Sequence, residues 1–229
     1  MAGSGLAEPD QRGPAARTGA DIWSQVIGSC DPVTGKNSNR VWLMAPDARP
    51  YHHGHLRPAL LAAAVEIIGE AGPAALSLRE VARRAGVTHA AAAYHFGDKA
   101  GLLTAVAAEG YRLLGDALRA AQSQGSFLDV GVAYVRFAVD HRAHFEVMYR
   151  PELYRPDDAS VLRARAGTAR LLYGGDNPGV QELAAGVAAW SLVHGVATLW
   201  LNGNLPERLG HDPEQITRLV ATHLRAPQG

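Results

Sequence analysis

Residues 76–103 read LSLREVARRAGVTHAAAAYHFGDKAGLL, and this run restricts the possible folds more than any other part of the chain. Ser77 followed three residues later by Glu80 predicts a capping box, in which hydroxyl and carboxylate satisfy two orphan amides reciprocally, so a helix begins here. That helix turns Leu78, Val81 and Ala82 inward and stops at Gly86. Thr88 is a second N-cap, opening about two turns through Phe96, with Gly97 as a left-handed stop. Two helices joined by a glycine-containing turn, the second too short to stand alone, make a helix-turn-helix. The second helix carries four successive alanines at 90–93. A helix this slim fits a major groove about 12 Å wide. Around the alanines stand Thr88, His89, Tyr94 and His95, with Lys99 after Asp98, all donors suited to phosphates and base edges. The bland alternative is that an alanine-rich helix is merely stable, with Tyr94 and His95 as packing residues.

Composition bounds the rest. A chain of 229 residues, 47% hydrophobic and 19% charged, can build a real core. Its net charge is zero, 22 basic against 22 acidic side chains, so any affinity for nucleic acid comes from local placement. Residues 44–104 hold six Arg/Lys against five acids, an excess of one. The single cysteine, Cys30, excludes an intramolecular disulfide framework and fits a reducing, cytoplasmic interior. Residues 1–13 lack the basic start and apolar stretch of a secretory signal. The most apolar segment, 187–201, contains Ser191 and His194 and is expected to fall short of a membrane span.

Along the chain, residues 1–50 show Gly, Pro, Ser and Asp at short intervals and no sustained period, and are expected to be a disordered extension. Apolar residues Leu60, Leu61, Ala64, Ile67 and Ile68 then repeat at helical spacing up to Gly72-Pro73. Further helices are expected from Asp98 toward Ala121, over 127–141, around 145–149, over 157–172, from Pro178 to about Asn202, and from Asp212 to about Leu224. Nothing reads as a strand, so the class is all-α: an N-terminal three-helix DNA-binding unit over 51–104 and a C-terminal helical bundle over 105–225.

In the long helix ending near Asn202, Ala184, Ala188, Ser191, Gly195 and Thr198 form a stripe of small residues that lets another helix approach, a candidate dimer interface. About 100° round the same helix lie Val187, Trp190, His194, Ala197 and Leu201. With Leu192, Val196, Leu199 and Trp200 in the remaining directions, the helix is apolar nearly all round and is expected to be buried on every side. Tyr134, Phe137 and His141, then Phe145, Met148 and Tyr149, give an aromatic and Met-rich wall. That wall is either plain core or, with Trp190, His194 and Ala197, a pocket for a small apolar or aromatic effector. For His194 a hydrogen-bonded core role is the more ordinary reading.

The capping box, the Gly86 turn, the AYHF stretch and the Lys99 helix, in that order over about 51–104, resemble the DNA-binding domain of the TetR family of bacterial regulators. The segment WSLVHGVATLW at 190–200 resembles the Trp-His-Gly C-terminal domain of one branch of that family. The resemblance implies a homodimer on a pseudo-palindromic operator in double-stranded DNA, with a C-terminal domain that dimerises and binds a small molecule. It implies that Arg79, Thr88, His89 and Ala91 face the operator and that Tyr94, His95 and Lys99 hold phosphates. One departure is the pair Ala93-Tyr94, where the family often has two aromatics. Two other classes are a constitutive DNA-binding protein without effector, and a metal enzyme. The second is disfavoured: His52, His53 and His55 come with no HExxH and no paired acids at ligand spacing, so no metal, cofactor or catalytic residue is assigned.

Overall fold

The computed structural model describes residues 56–223, and within them every regular element is helical. The expectations for residues 1–50, for Cys30 and for the histidines at 52, 53 and 55 lie outside the described residues.

Helix α1 (Leu56–Ala71) buries Leu60, Leu61, Ala64, Ile67 and Ile68 along one face, the face its periodicity selects. Fully burying a leucine such as Leu60 contributes about 1.5–3 kcal/mol. A 3-10 turn (Pro73–Ala75), which the sequence pattern does not announce, leads into α2 (Leu78–Arg84) and α3 (His89–Phe96). Ser77 caps α2 by accepting from the Glu80 amide at 3.2 Å. The reciprocal half of the capping box is replaced: the Glu80 carboxylate takes both guanidinium donors of Arg83, at 2.9 and 2.7 Å. A charge-assisted fork is stronger than one neutral amide bond, so it wins the carboxylate. Gly86 and Gly97 adopt φ of +69° and +74°, where a side chain is strained, so both helices stop where glycine is available.

Asp98 caps α4 (Lys99–Gln124) through the Gly101 amide at 2.8 Å. With 26 residues, α4 runs about 39 Å at 1.5 Å per residue. Its first turns pack on α1 and α3, and its remainder packs on α5 (Phe127–Asp140), α6 (Arg142–Met148) and α7 (Ala159–Tyr173). The Asp129 carboxylate accepts the Ser126 amide at 2.7 Å, fixing the start of α5 at the Gly125-Ser126 break. Helices α8 (Val180–Leu201) and α9 (Pro213–Thr222) complete the bundle, α8 against α5 and α7, α9 against α5 and α8. Short 3-10 turns at Pro151–Leu153 and Glu207–Leu209 fill connections between helices.

Helix α8 differs from expectation in two respects. It is not covered all round: Gly186, Val193, Val196 and Ala197 are buried, while Val180, Leu183, Val187 and Leu199 stand exposed. By length and composition it is also apolar enough to cross a membrane, because it begins at Val180, earlier than the segment judged too short. In the fold this apolarity serves packing: a Cβ on Gly186 would lie 2.8 Å from the Leu172 carbonyl oxygen and 2.8 Å from Tyr173 Cα. Both obstacles are backbone, so α7 and α8 touch only because the residue is glycine. Gly186→Ala is therefore expected to cost about 1–3 kcal/mol. In contrast, Gly69, in α1 with no atom within 4 Å of its would-be Cβ, should gain about 0.5–1 kcal/mol on conversion to alanine. Denaturant midpoints of the two variants measure this, and equal shifts would remove the assigned close approach.

Candidate functional site

Helix α3 holds itself to the core through Ala92 and Phe96 and turns its other side outward. His89, Ala90 and Tyr94 are exposed, Tyr94 at 86%, the highest value of any large hydrophobic side chain described. Ala91, expected to face outward, is half-buried on the shoulder against the core, and Ala90 occupies the outward position instead. With Ala92 and Phe96 fixed inward, the 100° step per residue turns 90 and 94 directly away from the core. Thr88 spends its acceptor on the cap, taking the Ala91 amide at 3.2 Å, and keeps its hydroxyl proton for another partner. His95 is half-buried between its neighbours, its ring 5.5 Å from Tyr94 and 6.3 Å from Phe96.

The cations around this helix divide by partner. Arg83 pairs with Glu80, and Arg84 forks onto Glu70 with two bonds of 2.8 Å, so neither presents a bare charge. Arg79 is exposed at the start of α2. Lys99 donates its Nζ to the Ala74 carbonyl at 2.9 Å, using one of three donor hydrogens. Arg57, not singled out from the sequence, sits 5.3 Å over the Phe96 ring beside α3. Its spacing from the motif gives no hint of this, since α1 and α3 meet only in the folded unit. At the junction with the bundle, Arg155 bonds the Asp98 carboxylate at 2.8 Å and donates its amide to Thr104 Oγ1 at 3.0 Å.

The bundle interior centres on the Tyr134 hydroxyl, which is fully buried. It lies 2.7 Å from the Tyr149 hydroxyl and 2.9 Å from His194 Nδ1, and it accepts the Trp190 indole N–H at 3.1 Å. Burial pushes the Tyr134 phenol above its ordinary range and the His194 imidazole below its own. His194 is half-buried and hydrogen-bonded to Tyr134. At the other end of α6, His144 Nε2 bonds the Glu109 carboxylate at 3.0 Å, which holds that carboxyl below the usual range, while His144 Nδ1 is buried without a partner.

Two cavities adjoin this centre. The larger, about 580 Å³, lies between α5, α7, α8 and α9 and has Tyr134 and Trp190 in its lining. The smaller, about 290 Å³, lies between α4, α6, α7 and α8 and touches Met148, Tyr149 and Trp190. Of the pocket residues expected from the sequence, Phe137, His141, Phe145, His194 and Ala197 line neither. Phe137, Phe145 and Ala197 are packed core, and His141 lies against Phe137 with ring centres 5.0 Å apart. The larger cavity instead uses Leu128, Gly131, Leu171, Ala189 and Val193, whose residue types do not distinguish a packed core from a cavity. The small-residue stripe stands apart from both: Ala184, Ala188 and Ser191 are exposed, and Gly195 and Thr198 half-exposed.

A short helix offered outward from a three-helix unit, on a long helix leading into a second bundle, is the design of a helix-turn-helix DNA-binding regulator. Residues 60–106 match the model of bacterial regulatory proteins of the tetR family, and residues 127–224 match the tetracyclin repressor-like C-terminal domain. The chain belongs to the TetR family of transcriptional regulators, which are DNA-binding proteins and not enzymes. A solved protein of unknown function from Rhodococcus sp. RHA1 is 32% identical, with a TM-score of 0.63 and coverage of 76% of this chain and 96% of its own. A bacterial regulatory protein in the tetR family from Rhodococcus RHA1 is 25% identical, with a TM-score of 0.55 over 74% of this chain and 95% of its own. The TetR family transcriptional regulator PfmR from Thermus thermophilus, 18% identical with a TM-score of 0.51 over 74% and 99%, shares the fold. No curated protein sequence matches the chain.

The lowered His194 value has a consequence for stability. The folded chain favours the neutral ring, so as pH falls through about 6.5 the unfolded chain binds its proton first and stability declines from there downward. His141, also shifted down, mainly by burial, adds a contribution of the same sign. His194→Asn, which keeps an acceptor near the Nδ1 position but does not titrate, should reduce the fall in Tm between about pH 7 and pH 5.5. A slope identical to that of the unsubstituted chain would mean that His194 is not held neutral.

Proposed function

We propose that this regulator is a homodimeric repressor in the cytoplasm that binds a pseudo-palindromic operator and is released from it by a small-molecule effector. Within the family, WSLVHGVATLW at 190–200 supports the Trp-His-Gly branch. The observation that carries the reading is the exposed face of α3, where His89, Ala90 and Tyr94 stand clear of the core on a helix slim enough for the major groove. Residues 51–104 form the operator-binding unit and 105–225 the effector and dimer domain, joined by α4. Arg79, Thr88 and His89 face the operator, with Ala91 at the edge of that face. His89 reads base edges, and Tyr94, His95 and Lys99 take phosphates. The Lys99 ammonium reaches a phosphate with its two remaining donors while keeping the Ala74 carbonyl.

Release follows from contacts already described. Trp190 on α8 bonds Tyr134 on α5, Tyr134 bonds Tyr149 at the end of α6, and α6 packs on α1 of the operator-binding unit. A ligand that displaces Trp190 disturbs this chain and shifts the spacing of the two recognition helices. It dissociates the operator only if it prefers the incompetent spacing, and a hundredfold preference corresponds to about 2.7 kcal/mol of coupling.

Operator binding is tested by salt-dependent titration of a duplex selected from random sequence. Lys99→Ala should weaken binding to all sequences and lower the salt slope by about one unit, while His89→Ala should alter sequence preference. An unchanged slope in Lys99→Ala removes its phosphate contact, and failure to select any sequence removes the operator reading.

The dimer is proposed to form on the open face of α8, where Ala184, Ala188, Ser191, Gly195 and Thr198 allow close approach and Val180 and Val187 supply apolar area. A Cβ on Gly195 meets nothing within 4 Å in the single chain, so Gly195→Leu should fold normally yet obstruct a partner helix. Overpacking at about 1–3 kcal/mol per copy should bring monomer into view by sedimentation at micromolar concentration. A fully dimeric variant moves the interface elsewhere.

A further inference from the structure

The larger cavity has a polar inventory that selects its ligand. Four of its lining residues carry polar side chains: Ser126, Tyr134, Trp190 and Thr222. Every donor hydrogen among them is committed within the chain. Ser126 Oγ donates to Asp129 at 2.9 Å, and Thr222 Oγ1 to the Leu219 carbonyl at 2.7 Å. Trp190 donates to Tyr134, and the Tyr134 hydroxyl donates to Tyr149. No charged side chain lines the space. Among the charged pairs on the elements around it, Asp129 with Arg218 at 2.7 Å and Arg136 with Glu214 at 2.8 Å are closed. The Arg218 bond and the Ser126 bonds hold the Asp129 carboxyl at about 2, so it stays ionised and paired.

An anion entering this cavity finds no donor, and a cation finds no unpaired carboxylate, so either enters at the cost of a buried, unpaired charge. What the lining can still offer is apolar surface and the lone pairs of the Ser126 and Thr222 hydroxyl oxygens. We infer that the cavity between α5, α7, α8 and α9 binds an uncharged, hydrocarbon-like molecule whose polar end, where it has one, is a hydroxyl donating to Ser126 or Thr222. This rests on the reading of the C-terminal bundle as an effector domain and narrows it, since charged effectors of equal size are rejected. The site lies about half a turn round α8 from the small-residue face, so a partner helix on that face leaves it open.

The experiment compares n-decanol, decanoate and decylammonium, one chain with three heads, by calorimetric titration of the full-length protein. Decanol should bind at least about tenfold more tightly than either ion, because each ion buries a charge without a partner. Ala189→Phe fills the cavity and should abolish decanol binding. Should that variant not fold, Thr222→Trp, at an exposed position on α9, obstructs the same space from outside the packed core. Equal or tighter binding of decanoate or decylammonium overturns the inference, as does decanol binding that survives a folded blocking variant, or no binding of any probe. Operator release is read separately: decanol that binds as described without loosening the operator leaves this inference standing and removes effector control by that ligand.

Discussion

Helix α4 belongs to two cores at once, and this constraint governs the rest of the molecule. Leu102 and Leu103 are closed off beneath α1 and α3, while Leu114 and Leu118 are closed off within the C-terminal bundle, all with at most 1% exposure. A packed interior tolerates little displacement of such side chains, so α4 cannot shift in one core without straining the other. Loops would have insulated the halves, but an unbroken helix makes them mechanically continuous. The Asp98–Arg155 pair and the amide of Arg155 on Thr104 add a second tie at the same junction.

The sequence disclosed what depends on local rules. Ser77, Thr88 and Asp98 cap the helices their positions predict, each accepting the amide three residues on. Periodicity selected the buried face of α1 correctly because one helix against one core is a two-sided problem. It misjudged α8 because a helix apolar in every direction carries no phase: Val187 was grouped with Trp190 and His194, yet it points outward while they face the bundle. The Glu80 carboxylate was assigned by motif to an amide and went to a stronger competitor one turn away. Cavities were illegible for a different reason. Apolar residue types report that a surface avoids water, and a filled core and an empty pocket meet that requirement equally well.

The buried Tyr134 hydroxyl joins α5, α8 and the residue following α6 in one polar cluster. Three partners around one buried hydroxyl specify orientation in a way that apolar packing does not, since each bond has a direction and an unmade one is costly. Burial favours the neutral form of His194, the ring whose Nδ1 lies against this hydroxyl. The cluster fixes the rotation of α8 and thereby which side of that helix is left uncovered.

The bond from Lys99 to the Ala74 carbonyl concerns entropy. A free lysine loses several rotatable torsions when it grips a phosphate, a cost of about 0.5–1.5 kcal/mol for an immobilised side chain. Here folding has already aimed the side chain, so in the proposed phosphate contact that cost would be met before DNA arrives. Its aim is set by the 3-10 turn that ends with Ala75. If Lys99 grips a phosphate as proposed, a change of backbone path at Gly72-Pro73 would alter how tightly DNA is held without altering which sequence is chosen.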